Sequence, residues 1–217
     1  MNWQVRSVVM GAFCALSGQA VADFYLGVGG LYTQQKWDNS VVTEYSVTHQ
    51  TEGSRDLSLD RSPSETVAAL FMGYQFSPRW GLELQFSETE QESGIEQPFI
   101  NGTESGEHEW NAQIDHQVWA LTPVYYHAYS SDLRFFVKAG LTFETLKQSQ
   151  SSQTDIENGA DRNQSGQSSS DKTNGLIVGA GADYQLMDSI ALRGEYQYRD
   201  SDFARAHQLF LGAYYAF

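Results

Sequence analysis

The residues of this chain that could do chemistry are five histidines, a serine framed by glycines, two glycine clusters and two acidic stretches. The histidines are His49, His108, His116, His127 and His207. His108-Glu109 is followed by Trp110-Asn111-Ala112, so the second imidazole of a helical zinc-protease motif is missing. In Gly102-Thr103-Glu104-Ser105-Gly106 the serine stands one position late for a nucleophile elbow. Gly27-Val28-Gly29-Gly30 and Gly179-Ala180-Gly181 lack the third glycine and the helical pattern of a dinucleotide loop; small residues inside a narrow barrel explain them better. These motifs predict no catalytic residue, no metal ligand and no cofactor.

The acidic stretches are more distinctive. One holds Glu92, Glu96, Glu104, Glu107 and Glu109 without a Lys or Arg, and the other holds Asp38, Glu44, Glu52, Asp56 and Asp60 against Arg55 and Arg61. Carboxylates suit hard cations, and Ca²⁺ or Mg²⁺ shared with surface phosphates is one reading. No spaced calcium-loop pattern is present, which favours a solvated, repulsive surface.

The positioning elements begin with the first 22 residues. Arg6 is their only charge, an apolar run spans Val8 to Leu16, and Ala20-Val21-Ala22 precedes Asp23. This reads as a secretory signal peptide (residues 1–22) cleaved between Ala22 and Asp23, leaving one domain over 23–217. The single cysteine, Cys14, falls inside it, so the mature chain is expected to fold without disulfides. Losing Arg6 from 13 basic residues leaves 12 against 27 acidic ones, which disfavours a nucleic-acid partner. No run of 18 apolar residues exists for a spanning helix.

From Asp23 onward, segments of about ten residues alternate apolar and other side chains, the period of a two-faced sheet. Leu209, Leu211, Ala213, Tyr215 and Phe217 form one apolar row; Ile190, Leu192, Gly194, Tyr196 and Tyr198 form another, opposite Arg193, Glu195, Gln197 and Arg199. Leu133 to Glu144 and Gly81 to Glu88 repeat the pattern, and further strands are expected at Phe24–Thr33, Glu65–Phe76, Gln113–Ala128 and Asn174–Leu186. In Gln113–Ala128 both Trp119-Leu121-Tyr125 and Val118-Val124-Tyr126 make apolar rows, which leaves its facing open. Three connections are tight: Ser77-Pro78-Arg79-Trp80, Tyr129-Ser130-Ser131-Asp132 and Met187-Asp188-Ser189. They alternate with loops expected at Asp38–Ser64, Glu92–Ala112, Ser149–Thr173 and Ser201–Ala206, the third of them mobile.

Alternating short and long connections with an even strand count describe an all-β, eight-stranded antiparallel transmembrane β-barrel with short periplasmic turns and long external loops. Hydrocarbon offers no partner to an unpaired edge, so closure is required. Trp37, Tyr74, Phe76, Trp80, Tyr129 and Tyr198 are candidates for the interfacial girdles. A soluble barrel of the lipocalin type would show the same alternation with the apolar row turned inward.

The stretches Gly73-Tyr74-Gln75-Phe76-Ser77-Pro78, Trp80-Gly81-Leu82-Glu83-Leu84, Gly181-Ala182-Asp183-Tyr184, Leu192-Arg193-Gly194-Glu195-Tyr196-Gln197-Tyr198 and Tyr215-Ala216-Phe217 resemble the small outer-membrane barrels similar to the OmpA transmembrane domain. The resemblance covers the strands and not the loops. It implies a location in the outer membrane of a Gram-negative cell, amid lipid and lipopolysaccharide, and makes Tyr215 and Phe217 the signal read by the outer-membrane assembly machinery. It also implies that Glu83, Lys138, Asp183, Arg193 and Glu195 point into the lumen as an ionic network, and each does lie on the polar row of its strand. No periplasmic domain is expected after Phe217. The function expected is a structural or surface-interaction role through the external loops, adhesion to a host or cell-surface ligand included, and not catalysis; the alternatives are a narrow pore and a lipid A-modifying enzyme. His207 is followed by Gln208-Leu209, unlike the His-x-Ser of lipid A deacylase barrels.

Overall fold

A computed structural model describes residues 23–49, 52–101, 104–156 and 162–217. Residues 1–22, expected to be a signal peptide and holding Cys14 and Ala22, lie outside these residues. Ten strands follow in order: β1 Asp23–Trp37, β2 Glu44–His49, β3 Gly53–Ser58, β4 Ser64–Ser77, β5 Trp80–Asn101, β6 Glu104–Ala128, β7 Leu133–Ile156, β8 Arg162–Met187, β9 Ile190–Ser201 and β10 Ala204–Ala216. Eight close a barrel in the order β1-β10-β9-β8-β7-β6-β5-β4, and β2 pairs with β3 as a separate hairpin. The hairpin turns through Gly53, whose φ of 80° lies in the left-handed region that glycine enters freely.

The register fixes the barrel's shape. Following the ladders from Lys36 leads through Arg205, Asp200, Leu176, Leu141, Leu121, Leu84 and Met72 to Leu26, ten residues back along β1. That stagger over eight strands, with about 3.3 Å per residue and about 4.8 Å between strands, tilts the strands by about 40°. The lumen is then only wide enough for side chains to fill it.

Facing follows the alternation. Leu26, Val28, Leu70, Phe135, Val137, Leu192 and Leu211 point outward and exposed, whereas Glu83, Lys138, Asp183, Arg193 and Glu195 are buried. In β6 the open question resolves: Val118, Ala120, Val124 and Tyr126 face in, and Trp119 and Leu121 face out.

Two expectations are corrected. The described parts of Glu92–Ala112 and Ser149–Thr173, expected as loops, are paired strand. β5 and β6 stay paired up to Asn101 and Glu104, and β7 and β8 continue through Gln148↔Ser169 and Gln150↔Gln167, with one irregularity between Ser151 and Gln153. A polar strand with water on one face needs no apolar outer row; its inner row here carries Trp110, Ala112, Ile114 and Leu146, which cover the β2–β3 hairpin. The second correction is Trp37. It does not join a girdle but is 4% exposed, packed inward with Val41, Leu59, Ile114, Leu146 and Phe203. Tyr74, Phe76, Trp80 and Tyr129 do face outward.

Amide hydrogen exchange on the folded protein should therefore show the interstrand amides of 145–150 and 167–172 exchanging at least about tenfold more slowly than an unstructured chain. Free exchange across both stretches would contradict the extended hairpin.

Candidate functional site

β5, β7, β8 and β9 each aim polar side chains into the lower lumen, and the closed stagger brings them to one level. Arg193 is at the centre. Its Nε and Nη2 donate to Asp183 Oδ1 and Oδ2 at 2.7 and 3.1 Å, a bidentate pair, and its Nη1 donates to Glu83 Oε2. Lys138 Nζ lies 2.8 Å from Glu83 Oε1 and 2.8 Å from Glu195 Oε1. All five residues named for the lumen thus sit in one connected cluster.

Several members of that cluster were not singled out in the sequence. Arg134 donates to Asp183 Oδ2 at 3.0 Å and to Tyr214 Oη at 2.9 Å. It balances the charge, giving three cations against three carboxylates. Tyr25 donates to Glu83 at 2.9 Å and shares a hydroxyl contact of 2.8 Å with Tyr126. The rings of Tyr25, Phe71, Phe136 and Tyr214 stand 4.5 to 5.5 Å from the Arg193 guanidinium carbon, so cation–π attraction replaces part of its lost hydration. Tyr25 fits because Gly73 has no side chain: a Cβ there would fall 2.0 Å from the tyrosine ring.

A second cluster lies toward the long extensions. Glu144 accepts from His116 Nε2 at 2.8 Å, Thr142 Oγ1 at 2.8 Å and Ser201 Oγ at 2.9 Å. His116 Nδ1 is left to accept from Gln35 Nε2, at 3.4 Å. Arg199 Nη2 donates to Gln35 Oε1 at 2.8 Å. Glu144 and Arg199 each stand six residues beyond a lower-cluster residue, Lys138 and Arg193, on the same inward row. That spacing was the signal available in the sequence. Serine and histidine both bond Glu144 and not each other, so the imidazole does not contact the hydroxyl as a serine–histidine nucleophilic pair requires.

At the outer end, two histidines meet one hydroxyl. His49 Nε2 lies 3.0 Å and His108 Nδ1 3.1 Å from Thr154 Oγ1. The Glu52 amide donates to His49 Nδ1 at 3.4 Å, and Glu52 Oε1 lies 3.5 Å from His108 Nε2. With both imidazoles neutral, the three hydrogen bonds can each have one donor and one acceptor, Glu52 N–H to His49, His49 to Thr154 and Thr154 to His108, and the Glu52 carboxylate stands beside His108 Nε2. A metal on His49 Nε2 would require a proton on Nδ1, facing the Glu52 N–H. Among the described residues no group of three or more His, Cys, Asp or Glu converges on a metal position. The ring instead ties the β2–β3 hairpin to β6 and β7. Burial, with His108 nearby, holds the His49 pKa below the usual imidazole value, outweighing the Gln153 carbonyl and Glu52.

Tyr215 and Phe217 point outward at the closing seam, their ring centroids 5.0 Å apart, and the Phe217 amide donates to the Phe24 carbonyl. Asp23 opens β1 opposite Gln75.

Removing Arg193 leaves buried carboxylates uncompensated, so Arg193→Ala should cost about 3 kcal/mol or more in a urea unfolding titration of the folded barrel. An unchanged midpoint would reject a network that stabilises the fold. For the His49 ring the sign is set by the lowered pKa: the contribution is complete above about pH 6.5 and shrinks as pH falls below it. Hydrogen exchange at Val47 and Leu57, corrected for intrinsic rates, should quicken between pH 7.5 and pH 5, and His49→Leu should remove that dependence. Equal protection at both pH values in the native chain would contradict it.

The sequence matches the profile of the outer membrane protein beta-barrel domain family over residues 7–217. No curated protein matches it. Similar solved structures include Ail, the attachment invasion locus protein of Yersinia pestis, in complex with the heparin analogue sucrose octasulfate, at 19% identity, covering 90% of this chain and 99% of that one with a TM-score of 0.53. A major outer membrane protein from Thermus thermophilus is 13% identical over 91% of this chain and 100% of that one, with a TM-score of 0.51. Neisserial surface protein A is 13% identical over 89% and 97%, with a TM-score of 0.50. At these identities the structural likeness speaks for the fold, and the profile match for the family. An outward apolar band, a closed antiparallel ladder of eight strands and that match together make this chain a member of the outer membrane protein beta-barrel domain family, located in the outer membrane.

Proposed function

We propose that the chain is a sealed structural barrel that holds a rigid interaction surface above the outer membrane, with adhesion to a cell-surface ligand as its specific use. Export would remove residues 1–22 at Ala22-Asp23, and Tyr215 with Phe217 would present the chain to the assembly machinery. One observation carries the reading: β5, β6, β7 and β8 continue past the apolar band as one paired sheet, braced from inside by β2–β3, instead of ending in short loops. Building such an extension is useful for presenting a surface and unnecessary for crossing a membrane.

The chemistry of that surface narrows the ligand. From Glu88 to Gln117 the sequence holds eight acidic residues and no Lys or Arg. A sulfated sugar of the kind bound to Ail in its solved complex is a polyanion, and charge repulsion would oppose it here. A neutral or basic partner surface fits better. The lumenal clusters argue against the pore reading, because Arg193, Lys138, Glu83 and Gln197 are all buried and bridge opposite walls. The separation of Ser201 from His116 by Glu144 argues against a lipid-modifying hydrolase at this site.

Cells displaying the chain should adhere to cultured epithelial monolayers, and shortening both long hairpins by removal of 92–112 and 149–173 should abolish the excess over non-displaying cells. Adhesion that survives in a shortened barrel of normal unboiled gel mobility would overturn the adhesive reading. In planar bilayers the purified protein should give no discrete conductance steps, and a regular unitary conductance would favour the pore.

A further inference from the structure

The basic residues on the outer wall are not scattered. Among the residues whose side chains are described, the outward-facing Lys and Arg on the barrel strands are Lys36 on β1, Lys147 on β7, Lys172 on β8 and Arg205 on β10. Each stands four residues beyond the last apolar side chain of its outward row: Tyr32, Phe143, Leu176 and Leu209. The stagger also sets their heights. Ten residues gained over eight strands lowers the ladder by about 1.25 residues per strand relative to a plane across the barrel. On the plane through Lys36, that offset places position 172 of β8 and position 146 of β7, with Arg205 about one residue lower. All four therefore lie within about 3 Å of one level, about 10 Å above the top of the apolar band.

The same plane meets Asp115 on β6 and the Gln91–Glu92 step on β5. One side of the rim is thus basic and the other acidic. Two carboxylates temper the basic side: Asp200 pairs with Arg205 at 3.2 Å, an exposed contact, and Asp115 stands opposite Lys147 across the β6–β7 ladder. Lys36, Lys147 and Lys172 form no ion pair among the described residues. In a chain this acidic, lysines gathered at the height of lipid headgroups, on stems that can bend down along the apolar wall, match a layer of phosphates.

We propose that Lys36, Lys147, Lys172 and Arg205 form an arc on the β7–β8–β10–β1 side that binds the phosphate groups of lipid A in the outer leaflet. Arg205 and Lys36 face each other across the β1–β10 ladder and form its closest-spaced pair, with His207 and Tyr198 in the row beneath. The acidic β5–β6 side would be left to lipids bridged by other cations or to a neighbouring protein. The inference is independent of adhesion.

The test uses the folded full-length protein in detergent, titrated with two-phosphate lipid A and with its dephosphorylated form, bound lipid being counted by native mass spectrometry. The native chain should prefer the phosphorylated form at least tenfold. Replacing all four residues by Gln should erase the preference, while Glu90→Gln with Glu92→Gln should retain it. If the fourfold variant does not reach the folded gel mobility, Lys172→Gln alone should weaken phosphorylated lipid A binding about fivefold. No preference in the native chain, a preference that survives in the fourfold variant, or an unchanged affinity in Lys172→Gln would each overturn the proposal. So would inorganic phosphate at millimolar concentration displacing the lipid, since that would assign the site to free anions.

Discussion

A backbone amide or carbonyl facing hydrocarbon without a partner costs several kcal/mol, and that penalty shapes the whole molecule. It forces the eight strands to close on one another, closure forces the stagger of ten residues, and the stagger decides which inward side chains share a level. Arg193 meets Glu83 from across the barrel for that reason alone. The narrow interior then demands that every inward position be filled, and the filling alternates large with small: Tyr25 over Gly73, Phe71 beside Gly27, and Phe136 against Gly181. Charged groups can occupy such a space only when they are paired, and the three carboxylates and three cations of the lower cluster balance one another through connected ion pairs.

The polarity of the strands reverses at the height of Glu88. Below it the outer row is apolar and the inner row carries charge. Above it the outer row reads Glu88, Glu90, Glu92 on β5 and Lys147 on β7, and the inner row becomes Trp110, Ala112, Ile114 and Leu146. The alternation itself never stops; only the solvent on its outer side changes, from lipid to water. The extramembrane sheet is accordingly an ordinary two-faced sheet with a water-excluded core, closed from within by Val47 and Leu57 of the β2–β3 hairpin.

That reversal explains what could be read from the residues and what could not. The turns, the facing of the strands at 81–88, 133–144, 190–199 and 207–217, and the inward rows holding Glu83, Lys138, Asp183, Arg193 and Glu195 follow from a period of two and a few Pro, Ser and Asp residues. The extensions were misread as loops because their outer row is acidic or Ser- and Gln-rich, which resembles unstructured chain when the inner row is not weighed separately. Trp37 was misplaced because an aromatic residue at a strand end suits a girdle or a core equally well by composition. Pairings were out of reach in kind: Glu83 and Arg193 are 110 residues apart, and only the register joins them. The His49 and His108 ring depends on Thr154, a residue with no sequence signature of its own.

The account rests on which face of each strand meets lipid, and aromatic positions within the apolar band report on it directly. Trp80 and Trp119 face outward, whereas Phe136 and Phe210 are enclosed. Single-tryptophan variants reconstituted in bilayers of brominated lipid, with the tryptophan kept at 80 or 119 or introduced by Phe136→Trp or Phe210→Trp, should show strong quenching at the first two positions and almost none at the other two. Quenching of the second pair in preference to the first would mean that the barrel is turned inside out relative to this description.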